Sequence, residues 1–294
     1  MSNPFLEFDR KWKLDPLPAA NAPVFVLSAS WRAGSTLVQR LLCSNGQLQL
    51  WGEPYGDSGM IPNMVASAKV CLRPDWPLTG HFPEYLHPDR YEEIYNRPQD
   101  YWIANLYPLP GDIRQAHRAF FDQWIAVSSQ RHKKSRFGLK EVRLDGVCAQ
   151  YLQWLYPDAR FVFLVRNPYN SWRSYKGADW YFKFPELKVN RVDSFAKIWM
   201  RNMSSFLSLW KDDPAAHFVR FEDLVGQGKT LQGLLSHCGL DSFDPNVFAQ
   251  RIRGMEKPPI DPSTAELSQI NRICGKLAAQ LGYTAIYQHG ENPF

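Results

Sequence analysis

Short runs of consecutive apolar residues alternate along this chain with longer stretches in which apolar positions recur every three or four residues. Val24-Phe25-Val26-Leu27 follows Pro23 as a strand, and Leu37, Val38, Leu41 and Leu42 then fall on one helical stripe. Gln47 to Leu50, Phe137 to Val142, Phe161 to Val165 and Ala216 to Phe221 read as further strands. Phe161 to Val165 is apolar at every position, as a central parallel strand covered on both faces must be. Helical periodicity spans about Ile113 to Ser129, Ser194 to Trp210 and Thr264 to Leu281. This alternation predicts an α/β fold, a central parallel sheet flanked by helices. A chain of 294 residues can form it as a single domain, 1–294, and no internal repeat argues otherwise.

Pro54 to Arg136 breaks the pattern. It is rich in Pro, Trp and Tyr, and reads as an insertion (54–136) of loops and short helices over the substrate side of the sheet. Its aromatic residues, with Trp51, Tyr55, Trp102 and Tyr107 foremost, are candidates either for the wall of a concave pocket or for plain packing. Trp180-Tyr181-Phe182-Lys183-Phe184 is a candidate for the opposite wall or for a purine pocket.

The segment Ser28 to Thr36 joins the first strand to the first helix and consists mostly of small residues. Such a loop leaves backbone N–H groups unpaired at the positive end of a helix dipole, where phosphate or sulfate is stabilised. Gly34 allows close approach, and Ser35 and Thr36 add hydroxyls. The loop differs from the nucleoside-triphosphate pattern G-x-x-x-x-G-K-[ST]: Ala29 stands at the first glycine and Ser35 at the lysine, while a cation, Arg32, lies inside the loop. Taken alone, the same residues also describe an ordinary helix cap.

A second segment, Arg160 to Lys176, has the same logic. Arg166 follows the apolar run at the strand's carboxyl end, where open α/β sheets bind ligands, and Pro168 suits the first turn of a helix. Ser174 lies eight residues beyond Arg166, about two turns on, so that both can share one anion. Arginine suits that task because its planar fork takes two oxygens at once. A strand-end arginine paired with a surface carboxylate is the alternative.

Together, SxWRxGST after one strand and LVRNPxxxxxxS after another resemble the two nucleotide signatures of sulfotransferases that use 3'-phosphoadenosine 5'-phosphosulfate (PAPS). Phe221-Glu222-Asp223-Leu224-Val225 is similar to the family's (Y/F)EDLV segment, and the order along the chain is kept. The resemblance implies a three-layer fold with a P-loop-like sheet. It implies that Trp31, Arg32, Ala33, Gly34, Ser35 and Thr36 hold the 5'-phosphosulfate and that Arg166 and Ser174 hold the 3'-phosphate, with Arg253 as a further contact. Arg32 in the loop and Gly52-Glu53-Pro54 downstream are closest in style to the tyrosylprotein, carbohydrate and bacterial branch. That likeness implies Glu53 as the base and Lys140, on the strand Phe137 to Val142, as a second catalytic cation beside Arg32. A carboxylate paired with a nearby cation, and a surface Lys-Glu pair, are the plain readings of those two residues.

The implied reaction moves a sulfuryl group from PAPS to a hydroxyl, or to an amine or carbamoyl nitrogen, of a small-molecule acceptor, leaving 3'-phosphoadenosine 5'-phosphate (PAP). A sulfuryl group carries less charge than a phosphoryl group, so no metal is expected. The rival readings are a P-loop small-molecule phosphotransferase, against which the missing loop lysine weighs, and a non-catalytic nucleotide-binding module.

Composition narrows the rest. A net charge of +5 is spread along the chain and suits an anionic donor more than nucleic acid, which is not expected as a partner. Five widely separated cysteines without C-x-x-C spacing read as free thiols of a reducing compartment, and the seven histidines offer no metal-ligand spacing. With neither a signal core at the N-terminus nor an apolar run of membrane length, a cytoplasmic protein is expected. Oligomeric state and the identity of the acceptor have no signature in the sequence.

Overall fold

The computed structural model describes residues 3–53, 58–74, 76, 87–101, 106, 108–177, 182–184, 187–250 and 258–284. Its strands are β1 (Val24–Ser28), β2 (Leu48–Gly52), β3 (Arg136–Glu141), β4 (Arg160–Val165), β5 (Phe182–Phe184), β6 (Leu187–Val189) and β7 (Ala216–Arg220). Five of them form one parallel sheet in the order β2-β3-β1-β4-β7, and β5 and β6 form a separate antiparallel pair.

Side-chain alternation divides the strands between two cores. Phe25, Leu27, Leu139, Phe161 and Phe163 point to an aromatic-rich face. There the helix Val192–Trp210 packs Phe206 at 4.6 Å from Phe163 and Trp210 at 4.5 Å from Phe161, centroid to centroid. Val24, Val26, Val162, Leu164 and Val219 point to the other, aliphatic face, covered by Leu37, Val38, Leu41 and Leu42 of the helix Ser35–Cys43 and by Leu231, Leu234 and Leu235 of Lys229–Cys238. Both faces are therefore buried, which is why the strands read as continuous apolar runs. The result is the three-layer, P-loop-like α/β arrangement expected.

Boundaries shift where local chemistry differs from periodicity. β2 continues two residues past Leu50 because it pairs with β3 through Trp51↔Leu139 and Gly52↔Lys140. The helix expected over Ile113 to Ser129 begins at Pro110, whose fixed φ suits the first turn, and runs through a π-helical turn at Asp122–Ala126 to Arg131. Within the expected insertion, the helices Met60–Val70 and Pro88–Asn96 bury Ile61, Val65, Tyr91 and Ile94 in the aromatic-rich core. A helix at Pro4–Lys11 has no counterpart in the expectations above. It packs Phe5 against Trp154 and sets Asp9 between the Trp154 indole at 2.7 Å and Arg114 at 2.5 Å. Among the described residues no helix is long and apolar enough to cross a membrane, and all five cysteines are free thiols.

At the amino-terminal edge of the sheet, His217 of β7 stacks on His237 of Lys229–Cys238, with centroids 5.1 Å apart. Burial lowers both pKa values below the ordinary 6.5, and for His237, with His217 as a second cause, to about 4. The unfolded chain binds a proton at His237 near pH 6.5 and the folded chain does not, so its contribution to stability is complete above 6.5 and is lost as pH falls toward 4; His217 acts in the same direction. We predict that the melting-temperature gap between the native protein and His237→Gln narrows as pH is lowered from 7 to 5. A gap that widens instead would contradict this.

Candidate active site

Parallel pairing of β1 with β3 on one side and β4 on the other brings three strand ends to one edge of the sheet. From there the chain leaves β1 toward β2 and leaves β4 toward β7, the divergence at which open α/β sheets form a ligand crevice. The loop after β1 is held in that crevice by two bonds: Ala29 N–H donates to Leu164 O at 2.9 Å, and Asn202 Nδ2 donates to Ala29 O at 3.3 Å. Trp31 and Ala33 are buried, while Arg32 between them is half-buried with a left-handed backbone, φ 61°. A left-handed non-glycine residue is costly and persists where its surroundings fix it.

Those surroundings come from the second segment. Arg166 donates from Nη1 to Arg32 O at 2.8 Å, and Arg32 donates from Nε to Ser174 Oγ at 3.0 Å. The sequence places Ser174 with Arg166; the structure joins both of them to Arg32, so the loop after β1 and the segment after β4 form one unit. Burial lowers the Arg32 pKa, yet a guanidinium stays protonated in proteins.

The helix Pro168–Lys176 starts from Asn167, whose Oδ1 accepts the Tyr169 N–H at 3.0 Å. Trp199 Nε1 donates to Arg166 O at 3.0 Å. Phe221-Glu222-Asp223-Leu224-Val225 forms a short helix that braces this junction. Glu222 accepts the Asn167 N–H at 2.9 Å and the Tyr283 hydroxyl at 3.0 Å, and the Arg166 guanidinium lies 4.5 Å above the Phe221 ring.

Gly34 caps the helix Ser35–Cys43 at φ 85°, and a Cβ there would lie 2.1 Å from Phe221 Cδ2. Backbone conformation and contact with Phe221 thus both require glycine.

Glu53 and Lys140 meet one strand away. Glu53 N–H donates to Lys140 O at 2.9 Å, continuing the β2–β3 ladder, and Lys140 Nζ donates to Glu53 Oε1 at 2.5 Å. The second oxygen, Oε2, accepts from Arg143 Nη1 at 2.7 Å. Lys140 is buried, so the pair is not a surface ion pair. Burial would raise the Glu53 pKa, but Lys140 and Arg143 outweigh it and hold the carboxyl below its usual 4.5. Glu141 behaves oppositely: burial, then the neighbouring charge of Glu53, push it up to about 7.

Arg143 and Glu141 are the site residues that motif reasoning misses. Arg143 lies three residues beyond Lys140, just past the end of β3, and its guanidinium sits 5.5 Å from the Trp31 ring, against the loop. A second cation in Lys140-Glu141-Val142-Arg143 is the signal that could have found it. Trp51 is committed to packing, with its indole N–H donating to Ser129 Oγ at 2.8 Å and its ring edge-on to His132. Arg253, Tyr55, Trp102, Tyr107, Trp180 and Tyr181 lie outside the described residues.

The loop carrying Arg32 and Gly34 is thus tied to the strand-end Arg166 and to Ser174 of the following helix. A model of the sulfotransferase family matches residues 23–245. The chain belongs to the sulfotransferase family. The matched span contains the loop, the Glu53–Lys140–Arg143 cluster and the Arg166–Ser174 segment of this sulfotransferase. The sulfotransferase domain of the Synechococcus PCC 7002 olefin synthase is 18% identical over 93% of this chain and 98% of its own, with a TM-score of 0.51, and shares its fold. The sulfotransferase domain from the curacin biosynthetic pathway is 16% identical over 92% and 99% of the two chains, TM-score 0.47. A sulfotransferase from Alicyclobacillus acidocaldarius is 13% identical over 90% and 98%, TM-score 0.42. No curated protein matches the chain.

Gly34→Ala should destabilise the sulfotransferase by on the order of 2 kcal/mol or more, from strain at positive φ and collision with Phe221. Chemical denaturation measures this. Adding Phe221→Leu should recover part of the loss, and equal stability of Gly34→Ala and the native protein would refute the assignment.

Proposed function

We propose that this sulfotransferase transfers the sulfuryl group of PAPS to a hydroxyl, or less readily an amine or carbamoyl nitrogen, of a small-molecule acceptor. The observation that carries the reading is the Arg166–Arg32–Ser174 unit in the crevice between β1 and β4, one strand from the Glu53–Lys140 pair. Two guanidinium groups and a hydroxyl there fit a donor with anionic groups at two positions. The helix Ser35–Cys43 has no side-chain cap at its N-terminus, and backbone N–H groups at such a helix start fit a phosphosulfate lying on the loop. Residues Trp31 to Thr36 would hold the 5'-phosphosulfate, and Arg166 with Ser174, joined by Arg253, the 3'-phosphate.

In this reading the acceptor oxygen attacks sulfur in line, and the bond from sulfur to the 5'-phosphate oxygen breaks with its electron pair staying on that oxygen. Arg32 stabilises the charge left there without giving up a proton. Glu53 accepts the acceptor's proton. Its low basicity suits late proton transfer, after sulfur–oxygen cleavage has advanced. Lys140 is bound to Glu53 Oε1 at rest, so the acceptor replaces it at that oxygen and releases the ammonium toward the developing charge. Residues 54–136 cover the acceptor side within a single domain, which acts in the cytoplasm and needs neither metal nor nucleic acid.

PAP should raise the melting temperature of the native protein, and Arg166→Ala should abolish that shift while melting cooperatively by itself. An undiminished shift in the variant would remove Arg166 from the donor site. Glu53→Gln should bind PAP normally and lose turnover with PAPS by on the order of a hundred- to ten-thousand-fold. Near-native turnover would remove Glu53 from the base role.

A further inference from the structure

Arg143 Nη1 is shared between two carboxylates: it lies 2.7 Å from Glu53 Oε2 and 3.4 Å from Glu141 Oε1. The same Glu141 oxygen accepts the N–H groups of Val142 at 2.8 Å and Arg143 at 3.2 Å. Arg143, Glu141 and Lys140 are all buried, and Trp31 covers the guanidinium from the loop side. Two carboxylates therefore compete for one cation in a poorly screened environment, where each charge state is felt strongly by its neighbour.

We propose that Glu141 and Arg143 are positioning residues that set the base strength of Glu53, the ionisation of Glu141 being transmitted through the shared guanidinium. The proposal rests on the reading of Glu53 as the base. When Glu141 is neutral, the charge of Arg143 falls on Glu53 and holds its proton affinity down. When Glu141 is ionised, it divides that cation and adds a negative charge nearby, so Glu53 becomes a stronger base. Among the described residues the charged groups acting on Glu141 are Glu53 from the end of β2 and Lys140 and Arg143 from β3 and its following turn; from the loop after β1, the uncharged Trp31 ring lies against Arg143. Burial and the Glu53 charge bring the titration of Glu141 to about pH 7, while Lys140 and Arg143 keep Glu53 ionised well below that. Pairs of carboxyl groups whose pKa values are driven apart by their surroundings are a recurring way of dividing acid and base roles.

The test compares kcat, KM and PAP affinity from pH 5.5 to 9 for the native enzyme, Glu141→Gln, Arg143→Lys and Glu53→Gln, with PAPS and one acceptor. Native kcat should climb several-fold through pH 7. Glu141→Gln, which keeps the oxygen that accepts the two backbone N–H groups, should give a flat profile at the lower level with PAP affinity within about twofold of native. Arg143→Lys, whose single ammonium replaces the fork, should lose the climb as well, so the proposal stays testable if Glu141→Gln does not fold. Melting gives a readout independent of turnover. A folded-state pKa above the unfolded 4.5 contributes stability that is present below 4.5 and lost as pH rises through 7, so Glu141→Gln should gain on the native protein between pH 5.5 and 8. An unchanged climb in kcat in either folded variant overturns the proposal. Native-like turnover in Glu53→Gln overturns the base reading instead, which keeps the two failures distinct.

Discussion

The hydrogen bond from Arg166 to the Arg32 carbonyl is the contact on which the site depends. It crosses from the end of β4 to the loop after β1, and it can form only because those strands are neighbours in the sheet. It holds Arg32 in the left-handed conformation that turns its side chain to Ser174. The strain of that backbone is localised at one residue, and it is offset by contacts drawn from every layer: Asn202 on Ala29, Trp199 on Arg166, Phe221 beneath Gly34 and against the Arg166 guanidinium. In a site assembled in this way each member is held by a contact made by another. Preorganised cations aimed at one place contribute most when they need no rearrangement as charge develops.

The second concentration of charge obeys a different balance. Lys140, Arg143 and Glu141 are buried, and a buried ion is tolerated only when its partners replace the water it has lost. Glu53 satisfies two cations at once, one with each oxygen, and for that reason its pKa falls although burial alone would raise it. Glu141 has a weaker claim on the same guanidinium and its pKa rises. The pair shows how neighbouring carboxyl groups acquire different protonation behaviour from geometry alone.

Much of this was legible in the chain. A strand buried on both faces must be apolar throughout, so β1 and β4 announce themselves, and Arg32, Gly34, Arg166 and Ser174 stand at readable distances from them. β2 was partly legible, because its last residues, Trp51 and Gly52, gain their strand character from pairing with β3 and not from their own pattern. The helix Pro4–Lys11 carries an apolar stripe in Phe5 and Phe8, but a segment so short becomes a stable helix only against Tyr151 and Trp154, far along the chain. Arg143 stayed hidden because a single arginine after a strand has no periodicity, and its meaning comes from Glu53, ninety residues away.

By itself the sequence determined the parallel sheet, the residues of the two loop-and-strand-end motifs and the sulfotransferase resemblance, since each is written in residues close together along the chain. Only the tertiary structure decided that Arg32 joins Ser174 to Arg166, that Glu53 is held by both Lys140 and Arg143, and that Glu141 competes for the same cation. These are relations between strand ends brought side by side by sheet order, and their strength is set by burial. Neither quantity is a property of any local run of residues.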